Sequence, residues 1–230
     1  MLFRSLSNTD LSNTDLSSHD LTNTVLTGAN LSNSNLTGID LSNRDLSNTD
    51  LSNTDLSSHD LTNTVLTGAN LSGAILTGID LSNRDLSNTD LSNTDLSSHD
   101  LTNTVLTGAN LSNSNLTGAN LSNSIMESAV LRNTIFDHSD LSNADLSNSS
   151  IIGNNLSNSI LTGTKFYESK IHNSILSDID FSGTNFSGAI INSTDLSRSN
   201  FEGANFNGAS IRLSNFDAAS MKCNGNTICD

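Results

Sequence analysis

Apolar residues recur at every fifth position of this chain, from Leu6 to Met221, and the phase holds without a slip over 44 centres. Each centre is Leu as far as Leu121. Beyond it Met126, Phe136, Ile151, Phe166, Ile171, Phe181 and Phe186 share the role with Leu. The residue after a centre is usually Ser or Thr, and the one after that is usually Asn or Gly. A period of five fits neither a helix face at about 3.6 nor strand alternation at two, and it excludes a heptad. So short and strict a period predicts a solenoid, in which each unit makes one side of a coil and its centre points to the axis. Ser, Thr, Asn and Gly then mark a corner that returns in every unit, because these residues suit turns.

A longer repeat sets the number of sides. Residues 41–72 return letter for letter at 81–112, and residues 6–32 match 46–72, a period of 40. A copy of that length keeps every face in register if four five-residue units make one coil. A three-sided coil would rotate the faces with each copy. The expectation is therefore a square coil, about 11 coils in all, and a rod roughly 50 Å long at a strand spacing of about 4.8 Å. The unbroken phase predicts one continuous β-helix over 1–221, with the near-identical copies inside 6–112. Residues 222–230 leave the period and read as a short C-terminal tail or cap, which a solenoid end requires.

The units Ala29-Asn30-Leu31, Ala119-Asn120-Leu121, Ala144-Asp145-Leu146 and Ala204-Asn205-Phe206 resemble the consensus of the pentapeptide repeat family: Ala, Asp or Asn, Leu, then two variable residues. The resemblance covers residues 4 to about 221. It implies an all-β fold, a right-handed quadrilateral β-helix, with the centre and the residue two before it facing inward and the other three facing solvent. That accounts for the small residues two before each centre, among them Thr9, Thr14, Ala29, Ser34 and Ala69. Hydroxyls buried there need backbone carbonyl partners. Arg44, Arg84, His19, His59 and His99 occupy the same inward phase. Burying them without partners is costly, so their side chains are expected to turn outward through a widened corner.

Charge adds a direction. The formal net charge is -15, which disfavours polyanions at long range and favours basic or anion-binding surfaces. Direct nucleic-acid binding is not expected. Residues 1–120 hold 13 acids and 3 bases, whereas the remainder hold 11 acids and 6 bases. Asp20, Asp40, Asp60, Asp80 and Asp100 lie 20 apart, so a square coil stacks them as a ladder on one face, about 4.8 Å apart. Asp140 and Asp180 continue it with gaps. Asp10, Asp50 and Asp90, like Asp15, Asp55 and Asp95, recur only in every second coil. The ladder is either an anionic strip that imitates a phosphate backbone or a consensus residue that hydrogen-bonds at the corner. Columns of Ser or Thr (Thr22, Ser42, Thr62, Ser82, Thr102) and of Asn (Asn43, Asn63, Asn83, Asn103, Asn123, Asn143) run beside it. Asn ladders bond to their own copies in stacked strands. A flat face of this kind also suits a repetitive ligand such as ice or a polysaccharide.

Nothing in the sequence reads as catalysis. Ser17-Ser18-His19-Asp20 lies on an extended segment where neighbouring side chains diverge, so no nucleophile, base and orienter converge. His19, His59 and His99 are two coils apart, too far to share a metal ion whose ligand bonds are about 2 Å long. No metal, phosphate or nucleotide motif is found, and no cofactor is expected. No run approaches the roughly 18 apolar residues of a membrane span. The start lacks a signal-peptide pattern, so the expected location is cytoplasmic. Cys223 and Cys229, with five residues between them, are placed to close a loop, though cytosolic disulfides are uncommon. The family includes bacterial proteins that resemble duplex DNA in width and charge and bind DNA gyrase or topoisomerase IV. The resemblance therefore implies a non-enzymatic rod whose partner has a basic, DNA-binding groove of the gyrase type. The alternative is a structural or surface-recognition rod using the Ser/Thr/Asn faces. The tail is too short for the helical dimerisation element of some family members.

Overall fold

The computed structural model describes residues 4–17, 19–215 and 228–229. These residues contain no helix; they form a four-sided β-solenoid of about 10 turns. Every isolated bridge between coils is parallel and joins residues 20 apart, as in Asp10↔Asn30, Asp15↔Asn35 and Val105↔Ile125. The square coil expected from the repeat length is therefore the observed one.

Each side is built the same way. The centre donates its N–H to a carbonyl on the next coil, as in Leu11 to Asn30 at 2.8 Å. The N–H of the residue before a centre reaches back, as in Asn30 to Thr9 at 2.9 Å. The carbonyl of the centre then closes a turn on the N–H three residues on, as in Ala29 to Leu26 at 2.9 Å. The third residue of that turn has positive φ, which makes it a type II turn and selects Asn or Gly. Asn43 at φ 55, Asn63 at φ 55 and Gly68 at φ 72 show why these residues recur two after the centre.

The centres fill the axis. Leu31, Leu46, Leu71, Leu96 and Leu121 are fully buried. Toward the C-terminus, Phe rings stack through consecutive coils: Phe166 on Phe186 at 5.1 Å and Phe186 on Phe206 at 4.8 Å between centroids. Phe181 meets Phe186 edge-on from the neighbouring side. Most small inward residues place their hydroxyls on backbone carbonyls as expected, while that of Ser124 is buried without a partner. Thr54 donates to the carbonyl of Leu51 at 2.5 Å, and Ser34 to that of Leu11 at 2.8 Å.

One side becomes regular strand in the C-terminal half. β3 (Val130–Arg132), β4 (Ser150–Ile152), β5 (Lys170–His172), β6 (Ile190–Asn192) and β7 (Ser210–Arg212) form a parallel ladder. β8 (Ile228–Cys229) extends it by pairing Ser210 with Ile228, an offset of 18 rather than 20. The backbone of 228–229 thus stands out of the 20-residue register and still adds an edge strand beside β7. β1 (Arg4–Ser5) and β2 (Thr24–Val25) form a separate pair at the other end. The centres Phe216 and Met221, and Cys223, lie outside the described residues.

Candidate functional site

Asp20, Asp40, Asp60, Asp80 and Asp100 are exposed on one side of the rod, one per coil. Each carboxylate Oδ1 accepts the N–H of the residue two on: Thr22 at 2.8 Å, Ser42 at 2.9 Å, Thr62 at 2.8 Å, Ser82 at 2.9 Å and Thr102 at 2.9 Å. The hydroxyls of Ser42, Thr62, Ser82 and Thr102 donate to the same oxygens. These bonds favour the charged form. The Thr22 hydroxyl and N–H hold Asp20 below the ordinary carboxylate value, and Ser42, Thr62 and Ser82 do the same for Asp40, Asp60 and Asp80. Each Asp therefore has a structural duty at its corner. Asn performs the same duty elsewhere, as Asn30 accepts the Ser32 N–H at 3.0 Å, so the corner does not by itself require a charge.

The other sides show how this rod usually handles stacked carboxylates. Asp50 and Asp90 are each followed on the next coil by Asn, whose Nδ2 donates to the Asp Oδ1: Asn70 to Asp50 and Asn110 to Asp90, both at 3.1 Å. Asn35 and Asn115 treat Asp15 and Asp95 likewise. On a third side Asp45 and Asp85 alternate with Val25, Val65 and Val105. Only the column from Asp20 to Asp100 places Asp on five successive coils.

That same column runs along a part of the rod where the backbone ladder is interrupted. Among the described residues, the N–H groups of Leu21, Leu41, Leu61 and Leu81 make no bond to the next coil, whereas Leu101 bonds Asn120 at 2.7 Å. On the following side, Leu26 and Leu66 lack the bond that Leu46 and Leu86 make to Val65 and Val105. On the preceding side, Leu36 and Leu76 lack the bond that Leu56 and Leu96 make to Ile75 and Asn115. The side carrying Asp10, Asn30, Asp50, Asn70, Asp90 and Asn110 is bridged throughout.

Large residues at the inward phase accompany these splits. Arg44 and Arg84 do not turn outward as expected. They lie half-buried between coils, and Nη1 donates to the carbonyl of Leu21 and of Leu61, at 2.6 Å in both cases. His59 is buried and His99 half-buried, with Nε2 2.9 Å from the carbonyls of Leu36 and Leu76. Only His19 is exposed. The expected widening of the corner is present, but the side chains fill it because a carbonyl one coil back is within reach. Ile39 and Ile79, buried at the same phase, alternate with His59 and His99 on the acidic side. Arg44 and Arg84 also lower the carboxylates beside them, Asp20 and Asp40 for the first and Asp60 and Asp80 for the second, by charge and after the larger effect of the hydroxyl and amide donors. Asp40 opposes this at Asp60, where two carboxylates face each other across a step without an Arg.

The Asn columns differ from the expected continuous ladder. Asn63 donates to Asn43 at 3.0 Å and Asn103 to Asn83 at 3.1 Å, but the intervening step from Asn83 to Asn63 makes no such bond. The positive φ of the turn is the common reason for Asn at these positions.

The family model for pentapeptide repeats matches in eight copies spread over residues 5–217, beginning with 5–43, 45–83 and 85–123. This chain belongs to the pentapeptide repeat family. Among solved structures it is similar to HetL, a pentapeptide repeat protein involved in heterocyst differentiation regulation from the cyanobacterium Nostoc sp. strain PCC 7120. The identity is 25%, 91% of this chain and 90% of that one are covered, and the TM-score is 0.47. It is also similar to a trypsin-treated form of QnrB1, a plasmid-mediated fluoroquinolone resistance protein, at 20% identity, with 84% of each chain covered and a TM-score of 0.50. No curated protein matches it.

The splits give this pentapeptide repeat rod a relief that the even sequence period does not foretell. A cleft of about 500 Å³ opens at Arg44, bounded by Thr22, Thr24, Asp40 and Asp45. Its copy at Arg84, of about 640 Å³, is bounded by Thr62, Thr64, Asp80 and Asp85. Among the described residues no three His, Cys, Asp or Glu side chains are grouped to hold a metal ion, and no helix is long and apolar enough to cross a membrane.

Proposed function

We propose that this protein is a non-enzymatic, macromolecule-binding rod of the cytoplasm, and that its Asp20–Asp100 side binds a protein with a basic, DNA-binding groove of the DNA gyrase or topoisomerase IV type. The observation that carries this reading is the five-coil run of Asp on one side, beside columns in which Asn or Val separates the acids. Asn also serves the corner, so the corner bond alone does not require an acid at every step. Closely stacked like charges repel, and a basic surface would offset that repulsion. The formal charge of -15 supports attraction to such a surface over long range. The similarity to QnrB1 shows a shared fold and leaves the partner to experiment.

Purified protein at micromolar concentration is expected to inhibit gyrase supercoiling, or to protect the enzyme from a quinolone. Asp60→Asn together with Asp80→Asn is expected to weaken the effect. Absence of any effect of the unsubstituted protein on gyrase and topoisomerase IV removes the reading. The rival reading, recognition of ice or a glycan by the hydroxyl columns, is less well supported. On this side the hydroxyls of Ser42, Thr62, Ser82 and Thr102 already donate to the adjacent Asp.

A further inference from the structure

Every step of the acidic column from Asp20 to Asp100 is open along its straight side, although corner bonds from Asn43 to Thr62 at 2.8 Å and from Asn83 to Thr102 at 2.9 Å remain, and the inward residue just before the upper Asp of each step is large. Ile39, His59, Ile79 and His99 hold that place in turn. In the same column further along, small residues stand at closed steps. Beside Ala119 the Asn120 N–H reaches His99 at 3.0 Å, beside Ser139 that of Asp140 reaches Ala119 at 2.9 Å, and beside Ser159 that of Ile160 reaches Ser139 at 2.9 Å. At Ile179 a large residue returns, and the step from Ile160 to Asp180 is open again. At Ser199 the ladder closes, with Asn200 bonded to Ile179 at 2.9 Å.

The following side obeys the same rule. Arg44 and Arg84 stand at the steps Val25/Asp45 and Val65/Asp85, which are open along the straight side and keep the corner bonds from Gly28 to Ser47 at 3.0 Å and from Gly68 to Ser87 at 2.9 Å. Thr64 and Thr104 stand between them at closed ones, where Val65 bonds Arg44 and Val105 bonds Arg84, both at 2.9 Å. Polarity is not the cause. The Thr64 and Thr104 hydroxyls reach the carbonyls of Leu41 and Leu81 at 2.8 and 3.1 Å without opening a step, and Ile179 opens one with no polar atom at all. Bulk in a tube already filled by Leu is what the open steps of these two sides share. His59 and His99 add to it, because their rings reach the carbonyls of Leu36 and Leu76 and the preceding side is open there too.

We propose that Ile39, Arg44, His59, Ile79, Arg84 and His99 are wedges that hold the acidic side of the rod open, making it a segment of adjustable pitch hinged on the unbroken Asp10–Asn110 ladder. The wedges set the axial spacing of Asp20 to Asp100 and relieve the repulsion of stacking them. On the opposite side the bridges from Asp10 to Asn110 continue without a gap, so opening is a tilt about that side and not a break in the rod. This inference concerns the coil spacing alone and stands whether or not the acidic side binds a gyrase-like partner.

Residue-resolved hydrogen exchange tests it without any partner. In the unsubstituted protein the amides of Leu21, Leu41, Leu61 and Leu81 are expected to exchange at least about tenfold faster than those of Leu101, Leu121 and Leu141 on the same side. Ile179→Ser is expected to slow the amides of Leu161 and Asp180 to the rate of their bonded neighbours, with the far-ultraviolet circular dichroism unchanged. Arg44→Thr with Arg84→Thr is expected to do the same for Leu26, Asp45, Leu66 and Asp85. Equal rates for the two sets in the unsubstituted protein overturn the inference, as do variants that fold and keep the difference. If the variants fail to fold, the comparison within the unsubstituted protein decides alone.

Discussion

Phe186 is where the packing account is most exposed to test. Its side chain is fully buried, stacks on Phe166 and Phe206 with centroids 5.1 and 4.8 Å away, and meets Phe181 edge-on at 5.2 Å. Phe186→Ala removes a ring from the axis where neighbouring coils, tied by their ladders, have little freedom to collapse. Truncating a buried Phe costs about 3–5 kcal/mol, and an aromatic pair is worth about 0.5–1.5 kcal/mol beyond the area it buries. With three neighbouring rings left facing the void and little relaxation, about 5 kcal/mol is expected. Phe186→Leu is the control, because the same column carries Leu at Leu26, Leu46, Leu106 and Leu146. A near-volume apolar exchange costs about 1.5 kcal/mol or less. Because each coil touches only its neighbours, the Ala variant is expected to lose its C-terminal coils first and to give a split urea transition. Urea titration followed by circular dichroism measures both variants. If Ala and Leu at this position agree within about 0.5 kcal/mol, the ring does not fill the axis and the packing argument fails.

Three further outcomes follow from the corners. Gly68 has φ 72, and an added Cβ would meet the Asn48 Oδ1 at 2.5 Å, so Gly68→Ala is expected to cost at least about 1–2 kcal/mol for the left-handed backbone alone. Adding Asn48→Gly should recover part of the loss in a thermal melt, because it removes the clashing amide. At Asp40, Asn is expected to leave the melting midpoint near the original and Ala to lower it, since only Asn keeps an oxygen for the Ser42 N–H. Acid is expected to destabilise the rod: Asp20, Asp40, Asp60 and Asp80 are held below the ordinary value by hydroxyl and amide donors. Their contribution is complete above the unfolded value of about 3.9 and is lost as pH falls through the lower folded values. Melts at pH 7, 5, 3 and 2 should be flat between the first two and fall below about pH 4.

The architecture was legible because one rule repeats. A Leu at every fifth residue and a long exact copy define the inward phase and the four sides, and small residues such as Ala29 and Thr54 confirm which second residue points in. The reason for Asn43 or Gly68 was only half legible. Turn chemistry predicts them, but the left-handed backbone, and not the expected side-chain ladder, is what they share. The splits were hidden, because phase along the chain is unaffected by how far apart two coils stand. Arg44 and His59 were visible as misfits at the inward phase, and their cost was correctly weighed. What sequence could not supply was the reach of the Leu21 or Leu36 carbonyl one coil back, which accepts a turn N–H from Thr24 or Ile39 and still has room for a second partner that draws the side chain between coils instead of out to solvent. Ile39 and Ile79 raised no signal, because an apolar residue at an inward phase looks right until its volume is set beside Ala119 or Ser139. The acidic column was legible by its spacing. Its singularity was legible too, because the acids of the other columns recur only in every second coil, and the structure adds that the Asn70 and Asn110 amides bond the acids of the opposite column.

The central claim is that position, and not total charge, makes the Asp20–Asp100 side the binding surface. It is tested most directly by comparing two substitutions of equal charge in a gyrase supercoiling titration. One is Asp60→Asn with Asp80→Asn, on the unbroken column. The other is Asp50→Asn with Asp90→Asn, on the side where Asn already alternates. The account predicts that the first pair raises the concentration needed for half-inhibition at least about tenfold, a loss of about 1.4 kcal/mol, while the second leaves it within about twofold. Equal losses from both pairs, or no inhibition by the unsubstituted protein, contradict it.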